Sequence, residues 1–163
     1  MTRSLLCFLL ITVSLSGFAA AEPSDREIKN TIIAYNKALI EAAKDPTFLQ
    51  NFDDAKKFDP FAEKDVAQKL YIWIKSWHEN NLYMDAELLK ISFRKQQIEG
   101  DKASVATDEI WKYSYFRHID INKTVEAWQP VKVYYKIEYR LVRKHGTWKI
   151  AKIKVLSEKE EKI

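Results

Sequence analysis

The stretch from Val131 to Val155 constrains the fold more than any other part of the chain. Apolar and polar residues alternate over Val131–Val142, Arg143–Thr147 contains a glycine, and a second alternating run covers Trp148–Val155. Alternation with a period of two predicts half-buried strands, and the glycine predicts a turn between them. The pattern therefore predicts a long β-hairpin with one apolar and one basic face. An apolar face of this width needs a helix or a second sheet packed over it.

The first 21 residues have the pattern of a secretory signal peptide. Arg3 supplies a short positive region, an apolar run extends from Leu5 to Leu15, and Ala19–Ala21 offer a small-residue cleavage site. The run is too short for a membrane span, so we expect no stable membrane insertion after cleavage. An uncleaved N-terminal anchor is the alternative. We predict a secreted, periplasmic protein that begins near Glu22.

Composition excludes several kinds of site from the mature chain. The only cysteine of the full sequence, Cys7, lies in the predicted signal peptide. Its removal excludes disulfides, thiolate catalysis and cysteine-based zinc sites from the mature chain. Removing Arg3 from the 27 basic residues leaves 26 against 23 acidic ones. This small, interleaved excess is not the concentrated footprint of a nucleic-acid-binding protein. The remaining chain, of about 140 residues, is long enough for one domain with its own core.

Two helices are predicted ahead of the strands. Asp25–Lys44 carries an apolar stripe at three- and four-residue steps and ends before Pro46. Phe61–Asn80 is the second helix, with Asn80 and Asn81 as its terminator. A short helical segment is expected between them, around Phe48, Leu49 and Phe52. The predicted apolar stripe of the second helix consists of Val66, Leu70, Trp73, Ile74 and Trp77.

After Asn81 the hydrophobic period changes to two. A first strand is predicted around Leu89–Phe93, and a long second strand over Ala103–Tyr115. The polar segment His118–Gln129 is interpreted as an irregular connection, with Pro130 opening the next strand. The charged tail Ser157–Ile163 is expected to be frayed and solvated.

Helices followed by strands predict an α+β fold in which helices pack on one face of an antiparallel meander of four strands. Both glycines of the mature chain, Gly100 and Gly146, fall at predicted hairpin turns. We expect residues 62–156 to form the core of one domain together with the N-terminal helix and connecting segment, residues 22–61. Residues 157–163 form the tail.

Four segments resemble a known family. They are Trp73–Trp77, Leu82–Leu89, Glu109–Tyr113 and Tyr139–Ile150. Together they are similar to the NTF2-like superfamily, and most similar to the intermembrane-space (IMS) domain of plastid-division proteins and related bacterial proteins. The resemblance implies a curved sheet wrapped around the helices as a cone. In the plastid domain this scaffold is a protein-interaction module without known catalysis, but a division role does not carry over to a short secreted chain.

Glu109 is the candidate for acid–base chemistry. By parity it lies on the apolar face between Thr107 and Trp111, where burial favours an unusual protonation state. The resemblance to NTF2-like isomerases and dehydratases implies an enzyme that uses Glu109 with Tyr113. The alternatives are that Glu109 accepts hydrogen bonds from tyrosine or tryptophan donors, or that a bulge turns it to solvent. We favour the structural role.

Aromatic residues supply the candidate binding surface. Core packing is accepted for Trp73, Tyr139 and Trp148. The others are typical of a ligand pocket or of an interface hot spot, and parity does not separate these two. The candidate binding residues are Trp77, Tyr83, Trp111, Tyr113, Tyr115, Trp128 and Tyr135.

The remaining motifs favour a binding protein over an enzyme. His78, His118 and His145 share no metal-binding spacing, and no glycine-rich phosphate loop or nucleophile elbow occurs, so we expect neither a metal nor a cofactor. The leading hypothesis is a non-enzymatic module that binds a protein segment or a small apolar ligand through an aromatic sheet face. A small acid–base enzyme and a homodimerising structural domain are the alternatives.

Overall fold

The computed structural model describes residues 23–45, 47–120 and 123–163, so the predicted signal peptide, residues 1–21, lies outside the described residues. Helices come first and strands follow, as the change of hydrophobic period predicts. The elements are α1 (Pro23–Lys44), a 3₁₀ helix (Phe52–Phe58), α2 (Lys64–Glu79), β1 (Leu82–Glu99), β2 (Lys102–Asp120), β3 (Lys123–Lys144) and β4 (Thr147–Lys162).

The strands form one antiparallel sheet in the order β1-β2-β3-β4. Gly100 lies in the turn between β1 and β2 with φ 58°, and His145 and Gly146 join β3 to β4 with φ 50° and 80°. Positive φ at both central residues suits a tight hairpin turn because it matches the twist of the flanking strands. The predicted α+β class, the four-stranded meander and the glycine turns are confirmed.

The helices pack on one face of the sheet, which we call the helix-side face. Helix α1 buries the predicted stripe that contains Ile28, Ile32 and Tyr35 against this face. The start of α2 is fixed to β4, because Glu63 N–H donates to the carbonyl of Ile150 and Ile150 N–H donates to the carbonyl of Phe61, each at 2.8 Å. The helical layer is therefore held at the edge of the sheet as well as by apolar contact.

Helix α2 is rotated relative to the predicted stripe, of which only Leu70 and Ile74 are buried. Its buried residues are Ala67, Leu70, Tyr71, Ile74 and His78. The ring of Tyr71 meets Phe52 of the 3₁₀ helix edge-on at 5.4 Å, so α2 is turned toward that segment. As a result Trp73, assigned to the core from the sequence, is 42% exposed. That assignment is wrong for Trp73, whereas Tyr139 and Trp148 are buried as predicted.

The strands are longer than the sequence predicts. Strand β1 begins at Leu82, well before the predicted start at Leu89. A register shift between Leu88 and Lys90 interrupts the alternation, which explains why the sequence pattern does not show the first part of the strand. The predicted irregular connection His118–Gln129 is also wrong. Strands β2 and β3 pair along it as far as Asp120 and Lys123, with several register shifts. Pro130 accordingly lies inside β3 and does not open a strand.

The C-terminal segment is paired, so the expectation of a frayed tail is wrong. Strand β4 continues to Lys162, and its residues from Ser157 onward are hydrogen-bonded to β3 between Val131 and Lys136. These side chains are exposed, as predicted for a solvated segment. Backbone pairing holds the segment in place without burial, which explains why its polar composition gives no strand signal.

The helices cover only part of the helix-side face. The main core joins α1 and α2 to the part of the sheet near the Gly100 and Gly146 turns, where Val105, Leu141 and Ile150 are buried. A second cluster lies beyond it, built from Ala43 of α1 and strand residues that include Trp111. Tyrosines pack against this second cluster and are only partly buried. The helix-side face therefore passes from a helix-covered core to an aromatic region.

Candidate functional site

Alternation along β2 places a set of polar and aromatic side chains on the helix-side face. Thr107, Glu109 and Trp111 are buried, and Tyr113 and Tyr115 continue the same face toward the far end of the strand. The rings of Trp111 and Tyr113 are parallel, with centroids 5.8 Å apart, and the Tyr113 and Tyr115 centroids are 6.3 Å apart. This is the predicted face of β2, and it begins a continuous series of stacked rings.

Helix α2 and strand β3 extend this series. Trp77 stacks on Tyr115 at 5.5 Å, and Trp128 meets both rings edge-on, at 6.1 Å from Trp77 and 5.3 Å from Tyr115. Trp73, one helical turn before Trp77, meets it edge-on at 6.2 Å. We call the six rings the aromatic row. Its members are Trp111, Tyr113, Tyr115, Trp77, Trp128 and Trp73.

The row is open to solvent at the end formed by Trp73 and Trp128. Trp73 is 42% exposed and Trp128 is 48% exposed, whereas Trp111 at the other end is buried. Aromatic pairs of this geometry contribute roughly 0.5–1.5 kcal/mol beyond the area they bury, so the rings hold each other in place without a covering helix. Sequence reasoning missed Trp73 as a surface residue. Its spacing of four from Trp77 is the signal that links the two rings.

The other two candidate residues lie to either side of the row. Tyr135 faces Glu109 across β2 and β3 and packs against the cluster that contains Trp111. Tyr83 instead contacts two histidine rings, His78 at 5.1 Å and His118 at 4.4 Å. Of the seven residues chosen from the sequence, five belong to the aromatic row, Tyr135 adjoins it, and Tyr83 joins a histidine cluster.

Burial raises the pKa of the tyrosines in and beside the row. The pKa of Tyr113 is raised mainly by burial and further by the neighbouring Tyr135 hydroxyl. The pKa values of Tyr115 and Tyr135 are also raised mainly by burial, with the charges of Glu158 and Glu160 adding to the effect. These phenols remain protonated at neutral pH, so the site offers neutral rings and hydroxyl donors.

Glu109 is 1% exposed and accepts three hydrogen bonds from protein donors. Its Oε1 accepts from the hydroxyls of Thr107 at 2.8 Å and Tyr139 at 2.9 Å, and its Oε2 accepts from Trp111 Nε1 at 2.8 Å. Within the described ranges no lysine, arginine or histidine forms an ion pair with it. Three donors therefore replace the water that a buried carboxylate loses.

This arrangement matches the structural role considered for Glu109. Both carboxylate oxygens are occupied by protein donors, and neither Tyr113 nor Tyr135 is among them. The negative charge and the hydrogen bond add to burial in raising the pKa of Tyr139. A general base needs a free oxygen within hydrogen-bond reach of a substrate proton. The geometry thus favours a carboxylate that orients its neighbours.

The empty space beside the row is small. A narrow cleft lined by Ala43, Ile74, Met84 and the tryptophans of α2 has no space that would hold even a water molecule. Pockets for drug-sized ligands are usually about 300–1,000 Å³. The exposed end of the row is therefore suited to contact along a surface more than to enclosing a small molecule.

Two further properties concern only the described parts of the chain. No helix there is both long and apolar enough to cross a membrane. Nor do three or more His, Cys, Asp or Glu side chains come together there as ligands for a metal ion.

Comparison with solved structures supports the fold. The chain is similar to the intermembrane-space region of the chloroplast protein ARC6, with a TM-score of 0.62 and 15% identity over 81% of this chain and 95% of that one. An Ntf2-like protein involved in plasmid conjugation has a TM-score of 0.48 and 10% identity, over 80% of this chain and 49% of that one. A periplasmic fragment of TraM has a TM-score of 0.45 and 12% identity, over 78% and 96%.

No protein-family model matches the sequence, and neither does any curated protein. At identities this low the structural likeness concerns the fold alone. The fold is α+β, with structural similarity to the ARC6 intermembrane-space region, as the sequence resemblance predicts.

Replacing Glu109 by glutamine should destabilise the protein. A glutamine amide has only one acceptor oxygen, so either the Trp111 N–H or the protons of the two hydroxyls would lose their acceptor. An unsatisfied buried donor costs about 1–3 kcal/mol. Urea unfolding should show this loss for Glu109→Gln, while Glu87→Gln at an exposed position of β1 should change stability little. Equal stability of the two variants would show that the carboxylate is not held as an acceptor of three bonds.

His78 should make stability depend on pH. It is 9% exposed, its Nε2 lies 3.1 Å from the Ala43 carbonyl, and its Nδ1 has no partner among the described residues. Burial lowers its pKa and the nearby Lys75 charge adds to this, against the opposing effects of the Ala43 hydrogen bond and Asp45. The unfolded state then binds the proton more readily, so stability should fall as pH drops below about 6.5.

Urea unfolding between pH 7.5 and 5.5 measures this dependence. His78→Gln retains an amide donor for the Ala43 carbonyl and should flatten the curve. His145→Asn, in the exposed β3–β4 turn, is the matched control and should leave the dependence unchanged. A wild-type curve that is flat over this range would contradict the assignment.

Proposed function

We propose that this protein is a non-enzymatic binding domain that takes an extended protein segment on its aromatic row. The observation that carries the proposal is the open end of the row, where two half-exposed tryptophans, Trp73 and Trp128, flank the stacked pair of Trp77 and Tyr115. Tryptophan and tyrosine dominate the binding energy of protein interfaces. Rings already held by one another lose little side-chain entropy on binding, which favours affinity.

The form of the site supports a protein segment over a small apolar ligand. The cleft beside the row is too narrow to hold even a water molecule, whereas the row itself extends through several rings. Contact along such a surface suits a chain better than a compact molecule. Glu109 is buried and each of its oxygens already accepts from a protein donor, which supports binding over acid–base catalysis.

The proposal predicts that the exposed tryptophans dominate peptide binding. Peptides are first selected from a displayed library on the purified protein and then synthesised with a fluorescent label. Fluorescence polarisation should show that they bind the protein. Trp73→Ser/Trp128→Ser should weaken them at least about tenfold, as expected for interface hot spots. Tyr134→Ser, which removes a ring from the opposite face of the sheet, is the matched control.

Circular dichroism and thermal unfolding of the variants check that folding is preserved. Selected peptides that bind the double tryptophan variant as tightly as the unaltered protein would overturn the proposal. Binding that is lost in Tyr134→Ser and retained in the double variant would place the site on the opposite face.

We also propose that the domain acts outside the cytoplasm, as a secreted, periplasmic protein. The positive, apolar and small-residue segments of residues 1–21 support this. The similar ARC6 region is an intermembrane-space domain, which agrees with such a location.

On expression of the full chain in a Gram-negative host, the protein should appear in the periplasmic fraction, and mass spectrometry should show that it begins at Glu22. Leu9→Arg/Leu10→Arg, which interrupts the apolar run, should retain the uncleaved chain in the cytoplasm. Uncleaved wild-type chain in the membrane fraction would contradict cleavage and support the anchor.

A further inference from the structure

The last part of β4 brings two carboxylates to the aromatic region. Glu158 pairs with Tyr135 and Glu160 pairs with Val133. Directly opposite residues of antiparallel strands lie on the same face of a sheet, so both glutamates lie on the helix-side face. Glu161, the residue after Glu160, lies on the other face, where it accepts a hydrogen bond from Tyr134.

Both glutamates are close enough to the tyrosines to act on them electrostatically. Their charges raise the pKa of Tyr115 and of Tyr135, in each case after the larger effect of burial. Neither carboxylate forms an ion pair with any residue that the structure describes. The aromatic row therefore has a negative border whose charge is not neutralised by a neighbouring side chain.

A register shift creates this border. Ile137 pairs with Val155, but the next pair is Lys136 with Ser157, so Leu156 is an extra residue in β4. If the pairing continued from Ile137 and Val155 without the shift, Ser157 and Lys159 would lie opposite Tyr135 and Val133. The register shift thus places two carboxylates where a hydroxyl and an ammonium group would otherwise lie.

We infer that the segment bound on the aromatic row carries lysine or arginine side chains. The inference rests on the proposed function and names the chemistry of its partner. Aromatic faces attract ammonium and guanidinium groups, and the unpaired carboxylates of Glu158 and Glu160 provide complementary charge beside them. Electrostatic complementarity of this kind selects among partners and speeds association.

The spacing of the rings suits an extended segment. Successive ring centroids from Tyr113 through Tyr115 and Trp77 to Trp73 are 5.5–6.3 Å apart. Alternate side chains of a strand repeat at about 6.6 Å, because each residue advances about 3.3 Å. Alternate side chains of an extended peptide therefore match the spacing of the rings. The flexible stems of lysine or arginine at the intervening positions allow their charged ends to reach back to the carboxylates.

Three nine-residue peptides test the inference. Valine and tryptophan occupy the apolar positions in all three, and the intervening positions are lysine, glutamine or glutamate. Fluorescence polarisation of the labelled peptides should give the order lysine, glutamine, glutamate, with the lysine peptide roughly fivefold tighter than the glutamine peptide at low salt. The advantage should shrink in 0.5 M NaCl because exposed charges are screened.

Matched variants test whether Glu158 and Glu160 cause the preference for the lysine peptide. Glu158→Gln/Glu160→Gln should abolish the advantage of the lysine peptide and leave binding of the glutamine peptide unchanged. Glu161→Gln makes the same type of change on the opposite face and should preserve the advantage. Equal binding of the lysine and glutamine peptides, or an advantage that survives in the double variant, would overturn the inference and leave the proposed function intact.

Two other outcomes concern more than the preference for a basic peptide. If none of the three peptides binds and library selection on the aromatic row also fails, both the proposed function and the inference are overturned. Light scattering tests for a second copy of the chain as the occupant. Self-association that disappears in Trp73→Ser/Trp128→Ser would identify that copy and overturn the inference of a basic segment.

Discussion

The hydrogen bonds of one buried carboxylate connect the core to the surface. Glu109 accepts from Thr107 and Trp111 on its own strand and from Tyr139 on the next. The bond to the indole nitrogen fixes the plane of Trp111, against which Tyr113 lies parallel, with an interplanar angle of 2°. Each further ring contacts the one before it, so the series of rings that ends at the exposed tryptophans begins at this buried group.

The helices cover only part of the helix-side face, so one end of the aromatic row stays exposed to solvent. Helix α1 reaches the second cluster only through its last turns, where Ala43 packs with Trp111. Helix α2 contributes Trp77 to the ring stack and, one turn earlier, the half-exposed Trp73. The uncovered sheet is stabilised by its own aromatic contacts and by backbone pairing. The same residues that replace a helical layer therefore form the candidate binding surface.

Sequence patterns correctly predict the parts of this structure in which the buried residues recur with the hydrophobic period of the strand or helix that contains them. Alternation places Glu109 and Trp111 on the helix-side face, and the glycines mark the hairpin turns, as observed. The incorrect predictions concern segments whose hydrophobic pattern does not report which residues are buried. The far end of β2 and the end of β4 are polar strands held by backbone pairing. For Trp73, hydropathy alone predicts burial, and only the rotation of α2 against the 3₁₀ helix exposes it.

Register decides which chemistry borders the aromatic row. In β4, charged residues of both signs succeed one another after Ser157, so a shift of one residue exchanges the set on each face. The extra residue at Leu156 selects Glu158 and Glu160 for the helix-side face and leaves Lys159 on the other. Composition therefore cannot reveal the negative border, because the segment contains lysines and glutamates in close alternation. The fold supplies the aromatic surface, and a local irregularity in its last strand gives that surface its charge.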